Sequence, residues 1–201
     1  VVGQTPFFVL ARDVNGDGQA DLISANFDSH TLTVLTNNGS GAFGVSSSPG
    51  VGVRPFSLAA ADVNGDGRVD LISGHELGTA LTVLTNNGGG SFVLASTPGV
   101  GIGPYSVTTA DVNGDGKADL ISANISANTL SVLTNNGSGG FVLSSSPGVG
   151  SNPQVVAAAD VNGDHQVDLI SANQDDKLTV LTNNGGGGFA ISSAPSVANW
   201  P

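Results

Sequence analysis

Cysteine is absent from this chain. That absence removes disulfide frameworks, thiolate metal sites and cysteine nucleophiles together. Methionine is absent as well. The chain thus lacks a start residue of its own, and the expectation is a processed, secreted protein from which a signal peptide, a larger precursor or an expression remnant was removed. Positive charge is scarce, with five Lys and Arg against sixteen Asp and Glu and a formal net charge of −11. So few cations cannot neutralise a run of phosphates, which excludes nucleic acid as a partner. No apolar run approaches the ~20 residues that a helical bilayer crossing needs, and no targeting segment is visible, so membrane insertion is not expected. Charged residues make up only 10% of the chain. Its exterior must therefore be built from Ser, Thr, Asn and Gly, around a core that 39% hydrophobic content over 201 residues can supply.

What is present is glycine, 30 residues of it, and a period. Four acidic loops begin at Asp13, Asp62, Asp111 and Asp160, 49 residues apart each time. The run "LTVLTNNG" at 32–39 returns at 81–88 and 178–185, and as "LSVLTNNG" at 130–137. A Phe follows each copy (Phe43, Phe92, Phe141, Phe189), and a Pro opens each unit (Pro6, Pro55, Pro104, Pro153). Within a unit, "PFSLAAAD" leads into the acidic loop, "VDLIS" follows it, "ALTVLT" alternates, and "SFVLAS" returns after "NNG", the signature of a tight hairpin turn. No segment carries capped helical periodicity. Four short strands per repeat predict an all-β fold, a β-propeller of four-stranded antiparallel blades. The blades fall at about 6–54, 55–103, 104–152 and 153–201, one propeller domain whose blades must stack to bury both faces. The repeated Phe residues are expected to plug the spaces between blades.

Each acidic loop has the oxygen donors of a calcium site. The candidate ligands are Asp13, Asn15, Asp17 and Asp21; Asp62, Asn64, Asp66 and Asp70; Asp111, Asn113, Asp115 and Asp119; and Asp160, Asn162, Asp164 and Asp168. Position seven (Gln19, Arg68, Lys117, Gln166) would add a backbone carbonyl. An EF-hand would carry Glu at position twelve, but Ser24, Ser73, Ser122 and Ser171 stand there, so that reading fails. These loops hold twelve of the sixteen acidic residues, and four Ca²⁺, one per repeat, would set eight positive charges against the net −11. In the fourth loop His165 replaces the glycine of position six. A positive φ there is strained for a side-chain-bearing residue, so that site is expected to be the weakest.

The runs "DVNGDGRVDLIS" and "ALTVLTNNGGGSF" resemble the FG-GAP or VCBS-type repeat over essentially the whole chain. That repeat builds the integrin α-subunit propeller, propeller lectins of fungi and bacteria, and many secreted bacterial proteins. The resemblance implies a propeller with Ca²⁺ between the first and second strands of each blade. Loops one to three match its D-x-N-x-D-G-x-x-D pattern fully, and loop four matches except at His165. Two closures are open: four blades form a ring alone, or two chains form a homodimer that completes one eight-bladed ring.

The units differ most between their second and third strands, at 25–31, 74–80, 123–129 and 172–177, on the face opposite the acidic loops. The candidate ligand-binding residues there are Asn26, Asp28, His30, His75, Glu76, Asn124, Asn128, Asn173, Asp175 and Asp176, with Tyr105. Neutral drift in exposed loops explains such divergence equally well. Sugar would suit the surface, with Phe27, Tyr105 and Trp200 as stacking candidates, although Trp200 would also serve as packing at the closure seam. His30, His75 and Glu76 do not make a zinc site, because a third protein ligand to the metal cannot be named. No nucleophile elbow, P-loop or dinucleotide fingerprint is present, and no enzyme is expected. The leading expectation is a calcium-stabilised, secreted module that binds glycans multivalently. The alternatives are a structural or adhesion module contacting extracellular protein, and an engineered repeat scaffold without a ligand.

Overall fold

The structure is a computed structural model that describes residues 1–197. Trp200 lies outside the described residues. The first blade comprises β1 (Pro6–Arg12), β2 (Asp21–Asn26), β3 (Thr31–Asn37) and β4 (Phe43–Ser47). The second comprises β5 (Pro55–Ala61), β6 (Asp70–His75), β7 (Thr82–Asn86) and β8 (Phe92–Ser96). The third comprises β9 (Pro104–Ala110), β10 (Asp119–Asn124), β11 (Thr129–Asn135) and β12 (Phe141–Ser145). The fourth comprises β13 (Pro153–Ala159), β14 (Asp168–Asn173), β15 (Lys177–Asn183) and β16 (Phe189–Ser193). Each blade is an antiparallel meander in chain order, and the described residues contain no helix. The blade-opening strands are innermost: β5 packs on β1, β9 on β5, and β13 on β9. Their small residues, such as the Ala59–Ala61 run, fit that close approach.

Alternation along each strand gives a blade two apolar faces. In the first blade Val14, Ile23, Ala25, Leu32 and Val34 point forward, toward the second blade. Leu58, Leu71, Leu84 and Phe92 of the second blade point back at them. The same register repeats between blades two and three, where Val63 and Ile72 meet Val107 and Leu120, and between three and four, where Val112 and Ile121 meet Val156 and Leu169. Phe92 is 7% exposed in its seam. Phe43, its counterpart in the first blade, lies outside these three seams and is 42% exposed. Among the described residues, Val9 of the first blade and Val161 of the fourth, which match seam positions of the other blades, are 64% and 50% exposed.

The "NNG" turn is longer than expected. Asn37 pairs with Phe43, leaving residues 38–42 as the loop. The Asn38 side chain organises it, its Oδ1 accepting from Ser40 N–H at 3.0 Å and Ala42 N–H at 3.2 Å. A side-chain carbonyl that binds the loop amides makes a two-residue turn unnecessary.

A buried polar column pins the connection into each blade. Asn26 and Asn124 are 0% exposed, Asn173 is 8% exposed, and His75 occupies their register in the second blade at 2%. Asn26 donates to Thr33 Oγ1 at 2.9 Å and Asn124 to Ser131 Oγ at 2.9 Å. His75 accepts at Nε2 from Gly52 N–H at 3.2 Å and donates from Nδ1 to the Ala80 carbonyl at 3.1 Å. The connection runs so close that a Cβ on Gly52 would stand 2.7 Å from this ring. Burial holds the imidazole below its ordinary pKa of 6.5, partly offset by the Ala80 bond. Above pH 6.5 both folded and unfolded chains carry it neutral. Below that value the unfolded chain takes up a proton that the folded chain resists, so stability falls with pH.

Urea titrations between roughly pH 7.5 and 5 should therefore show that decline, and His75→Asn, which restores the residue of the other blades, should reduce its slope. An identical slope in the variant would remove His75 as the cause. Phe92→Ala should cost about 3–5 kcal/mol in the same assay, as deletion of a seam-filling ring from a packed core. A loss under about 1 kcal/mol would mean that the seams are not tightly packed.

Candidate functional site

The acidic loops are folded by their own side chains. In the second loop Asp62 accepts from Gly65 N–H at 2.7 Å and Gly67 N–H at 2.8 Å. Asn64 accepts from Asp66 N–H at 2.9 Å, and Asp66 from Arg68 N–H at 2.9 Å. The loops of Asp13, Asp111 and Asp160 repeat these bonds. The amide bonds from Gly18 and Gly16 hold Asp13 below the ordinary carboxylate range, and those from Gly163 and His165 do the same for Asp160. Glycines at positions four and six take φ near +80°, as at Gly65 and Gly67. His165 adopts φ 67° and still donates its N–H to Asp160 at 2.9 Å.

Position nine differs from the other donors. Asp21, Asp70, Asp119 and Asp168 are all 0% exposed. Asp70 accepts from Val63 N–H at 3.0 Å with one oxygen and from Asn86 N–H at 2.8 Å with the other. It thereby brackets the start of the acidic loop to the end of the third strand. Burial raises Asp70 and Asp119, partly offset by these amide bonds. Among the described residues no three acidic or histidine side chains converge as a ready cage.

The remaining donors suit a hard dication. Oδ2 of Asp17 and Asp164 is held only by the neighbouring Asn15 and Asn162 amides, at 2.9 and 3.0 Å. Asp66 Oδ2 lies 3.6 Å from Arg68 and Asp115 Oδ2 lies 3.2 Å from Lys117, exposed pairs that an ion would displace at small cost. Asp115 lies below its ordinary range, with the Lys117 bonds outweighing its burial. Asn113 accepts from Asp115 N–H at 3.0 Å, as Asn162 does from Asp164 N–H at 2.8 Å, and Gln19 and Gln166 close the first and fourth loops. A cleft of about 510 Å³ separates the first two loops, and one of about 460 Å³ the last two.

On the opposite face, burial corrects part of the expected ligand set. Asn26, His75, Asn124 and Asn173 belong to the interior polar column and are at most 8% exposed. Their alternation places them inward, whereas the loop residues after them turn outward. Asp28 is exposed and accepts from Thr5 Oγ1. His30 is exposed at φ 57° and accepts Arg54 N–H at Nδ1, 3.1 Å away. Glu76 takes the Arg54 guanidinium at 3.0 Å. Between the last two blades, Asn128 accepts from Asn152 N–H at 2.8 Å, and Asn152 donates to Gln174 at 3.1 Å. Asp175 Oδ1 is buried without a partner, and Asp176 takes φ 58°.

The structure also joins residues that the sequence reading left apart. Phe7, Phe56 and Tyr105 each follow a blade-opening proline, and their rings form a ladder. The centroids stand 4.0 Å apart for Phe7–Phe56 and 3.5 Å for Phe56–Tyr105. Phe27 lies 5.9 Å from Phe7 and carries Arg54 over its ring at 5.2 Å. Phe7 is 52% exposed. Burial, then the Glu76 charge, raises the Tyr105 hydroxyl above its usual pKa. Phe7, Phe56 and Arg54 were missed, although the 49-residue spacing of 7, 56 and 105 carried the signal. Gln154 ends the ladder in the fourth blade.

A sequence profile described as the FG-GAP-like repeat matches residues 13–73, 62–122 and 111–171. No curated protein sequence matches the chain. Among solved structures, a lectin of Agrocybe aegerita that recognises non-reducing terminal N-acetylglucosamine is 25% identical, with a TM-score of 0.62 over 96% of this chain and 52% of its own. BBS1N, solved in complex with ARL6DN, is 15% identical, with a TM-score of 0.66 over 100% of this chain and 56% of its own. A putative 6-phosphogluconolactonase from Bacteroides uniformis is 15% identical, with a TM-score of 0.70 over 98% of this chain and 55% of its own. The chain thus spans just over half the length of these structures. Three overlapping profile matches between residues 13 and 171, on a fold of four propeller blades, place this chain in the FG-GAP-like repeat family.

Proposed function

We propose that this chain is a calcium-stabilised, extracellular propeller module that binds carbohydrate on the face opposite its acidic loops. The aromatic ladder carries the reading. An exposed ring such as Phe7 offers a stacking surface for the C–H face of a pyranose. Beside it, the Arg54–Glu76 pair, Asp28 and His30 supply donors and acceptors for hydroxyl groups. The Agrocybe aegerita lectin makes a terminal N-acetylhexosamine the first sugar to test.

Calcium has a separate place in this reading. Asp13, Asn15, Asp17 and the Gln19 carbonyl would hold one ion, with equivalent sets in the other loops and the weakest at His165. The ion would neutralise clustered carboxylates whose amide bonds already order the loop. Exposed loops of this kind suit the millimolar calcium found outside cells. Carboxylates committed to amides and metal are not free as acid–base pairs, so binding rather than catalysis is the role we assign.

Calcium at a hundredfold excess over its dissociation constant should raise the melting temperature by about 5–10 °C, and EDTA should reverse the gain. An unchanged melting temperature would remove calcium from the reading. A glycan array in calcium should give binding to a defined sugar, and Phe7→Ala or Tyr105→Ala should weaken it about tenfold. A blank array with folded protein would sink the carbohydrate assignment, and capture of an extracellular protein that sugar cannot displace would favour the adhesion alternative.

A further inference from the structure

An Asn-Gly step turns the chain between the third and fourth strands of each blade, at Asn38-Gly39, Asn87-Gly88, Asn136-Gly137 and Asn184-Gly185. All four asparagines are exposed. Three of them brace their loops. Asn38 Oδ1 accepts the Ser40 and Ala42 amides, Asn136 Oδ1 the Ser138 and Gly140 amides at 2.9 and 3.1 Å, and Asn184 Oδ1 the Gly186 and Gly188 amides at 3.3 and 3.2 Å. The Ser40 and Ser138 hydroxyls donate to the same oxygens. In the second loop the Gly88 amide still bonds Asn86, as its counterparts do in their own loops, but the Asn87 side chain takes no hydrogen bond among the described residues.

The second loop follows a different path. Gly88, Gly89 and Gly90 all take positive φ, at 97°, 64° and 77°, whereas the other loops do so only at alternate residues, such as Gly39 and Gly41. Ser91 N–H closes a tight turn on the Gly88 carbonyl at 3.2 Å, and positive φ at both central residues suits a glycine run. The loop is held from the first blade instead. Ser46 and Ser47 donate their hydroxyls to the Gly90 carbonyl at 3.1 and 2.7 Å. Ser96 and Ser145 repeat Ser47 in the next two blades, and their hydroxyl oxygens are buried without a partner among the described residues. A loop turned this way offers Asn87 no amide to hold.

We propose that Asn87 is a site of spontaneous modification, where water converts the asparagine to aspartate and isoaspartate. The Gly88 nitrogen, its proton lost to solvent base, attacks Asn87 Cγ. The Cγ–Nδ2 bond breaks and ammonia leaves with a proton from solvent. Water then opens the cyclic imide at either carbonyl, and no oxidant or reductant is consumed. A free side chain and a following glycine permit the close approach that the ring needs. The Asn-Gly steps of the acidic loops are shut to it. Asn64 Oδ1 holds the Asp66 amide, and the Gly65 amide bonds the Asp62 carboxylate, whose charge opposes loss of that proton. The new carboxylate adds one negative charge to the net −11 beside the cleft that Arg68, Asn86 and Gly88 help to line. Isoaspartate also lengthens the backbone next to Asn86, which donates across the first seam to the Val14 carbonyl at 2.8 Å, as Asn135 and Asn183 do to Val63 and Val112 across theirs.

Incubation of the folded 201-residue chain in mildly alkaline buffer, followed by peptide mapping with fragment-ion assignment, tests this. Asn87 should gain about 1 Da first, as an amide becomes an acid. It should run about tenfold ahead of Asn38, Asn136 and Asn184, whose side chains must first break their two amide bonds. In urea the four turn asparagines should react alike, because the unfolded chain keeps only the shared Asn-Gly step. Gly89→Ser, which restores the "NGSG" of the first and third loops, should slow Asn87 to the rate of Asn38. Any other asparagine reacting as fast as Asn87 in the folded chain would overturn the proposal. So would an Asn87 that stays intact through many half-lives of the unfolded chain. A ranking that persists in urea, or a Gly89→Ser chain of unchanged strand signal and unchanged Asn87 rate, would overturn the structural cause.

Discussion

Each blade hangs on one buried carboxylate. Asp21, Asp70, Asp119 and Asp168 lie out of contact with water, and each spends both oxygens on backbone amides from two separate segments. One amide opens the acidic loop and the other ends the third strand. Without the carboxylate those amides would be buried and unpaired, a cost of about 1–3 kcal/mol each. The bracket also orients the following side chain. The Asn whose amide it holds is the residue that reaches across the seam to the neighbouring blade. A local turn and a blade-to-blade contact thus share one anchor.

The two rims of the arc are consequently built to different rules. On the acidic rim every position serves the loop, the bracket or the seam, and the four repeats agree there almost residue for residue. On the other rim the connection is anchored by glycines and a buried polar column, and the residues beyond the column are free of that duty. Phe27, Arg54 and Glu76 cluster between the first two blades, Asn128, Asn152 and Gln174 between the last two. One scaffold therefore presents unlike chemistry at equivalent places.

Much of this was legible in the sequence. The 49-residue period, the alternation of "LTVLT" and the repeated Phe located the strands and the plugs of the seams. The family pattern located the acidic loops, and His165 takes the positive φ read from the missing glycine. What stayed hidden was direction and depth. A period-two pattern does not say which face meets which neighbour, so Asn26 and His75 read as surface residues when they are interior. The acidic loop reads as a set of equal donors, whereas its ninth position is buried and bonded to amides. The aromatic ladder depends on the curvature that brings residues 7, 56 and 105 together, and no single unit encodes that curvature.

The sameness of the seams bears on how such a protein changes over generations. Any blade presents the same forward and backward surfaces as any other, so an unequal crossover that inserts or deletes one 49-codon unit creates no new junction to be optimised. Blade number then becomes a heritable variable that drifts in whole steps. The rim opposite the acidic loops is left to diversify one copy at a time.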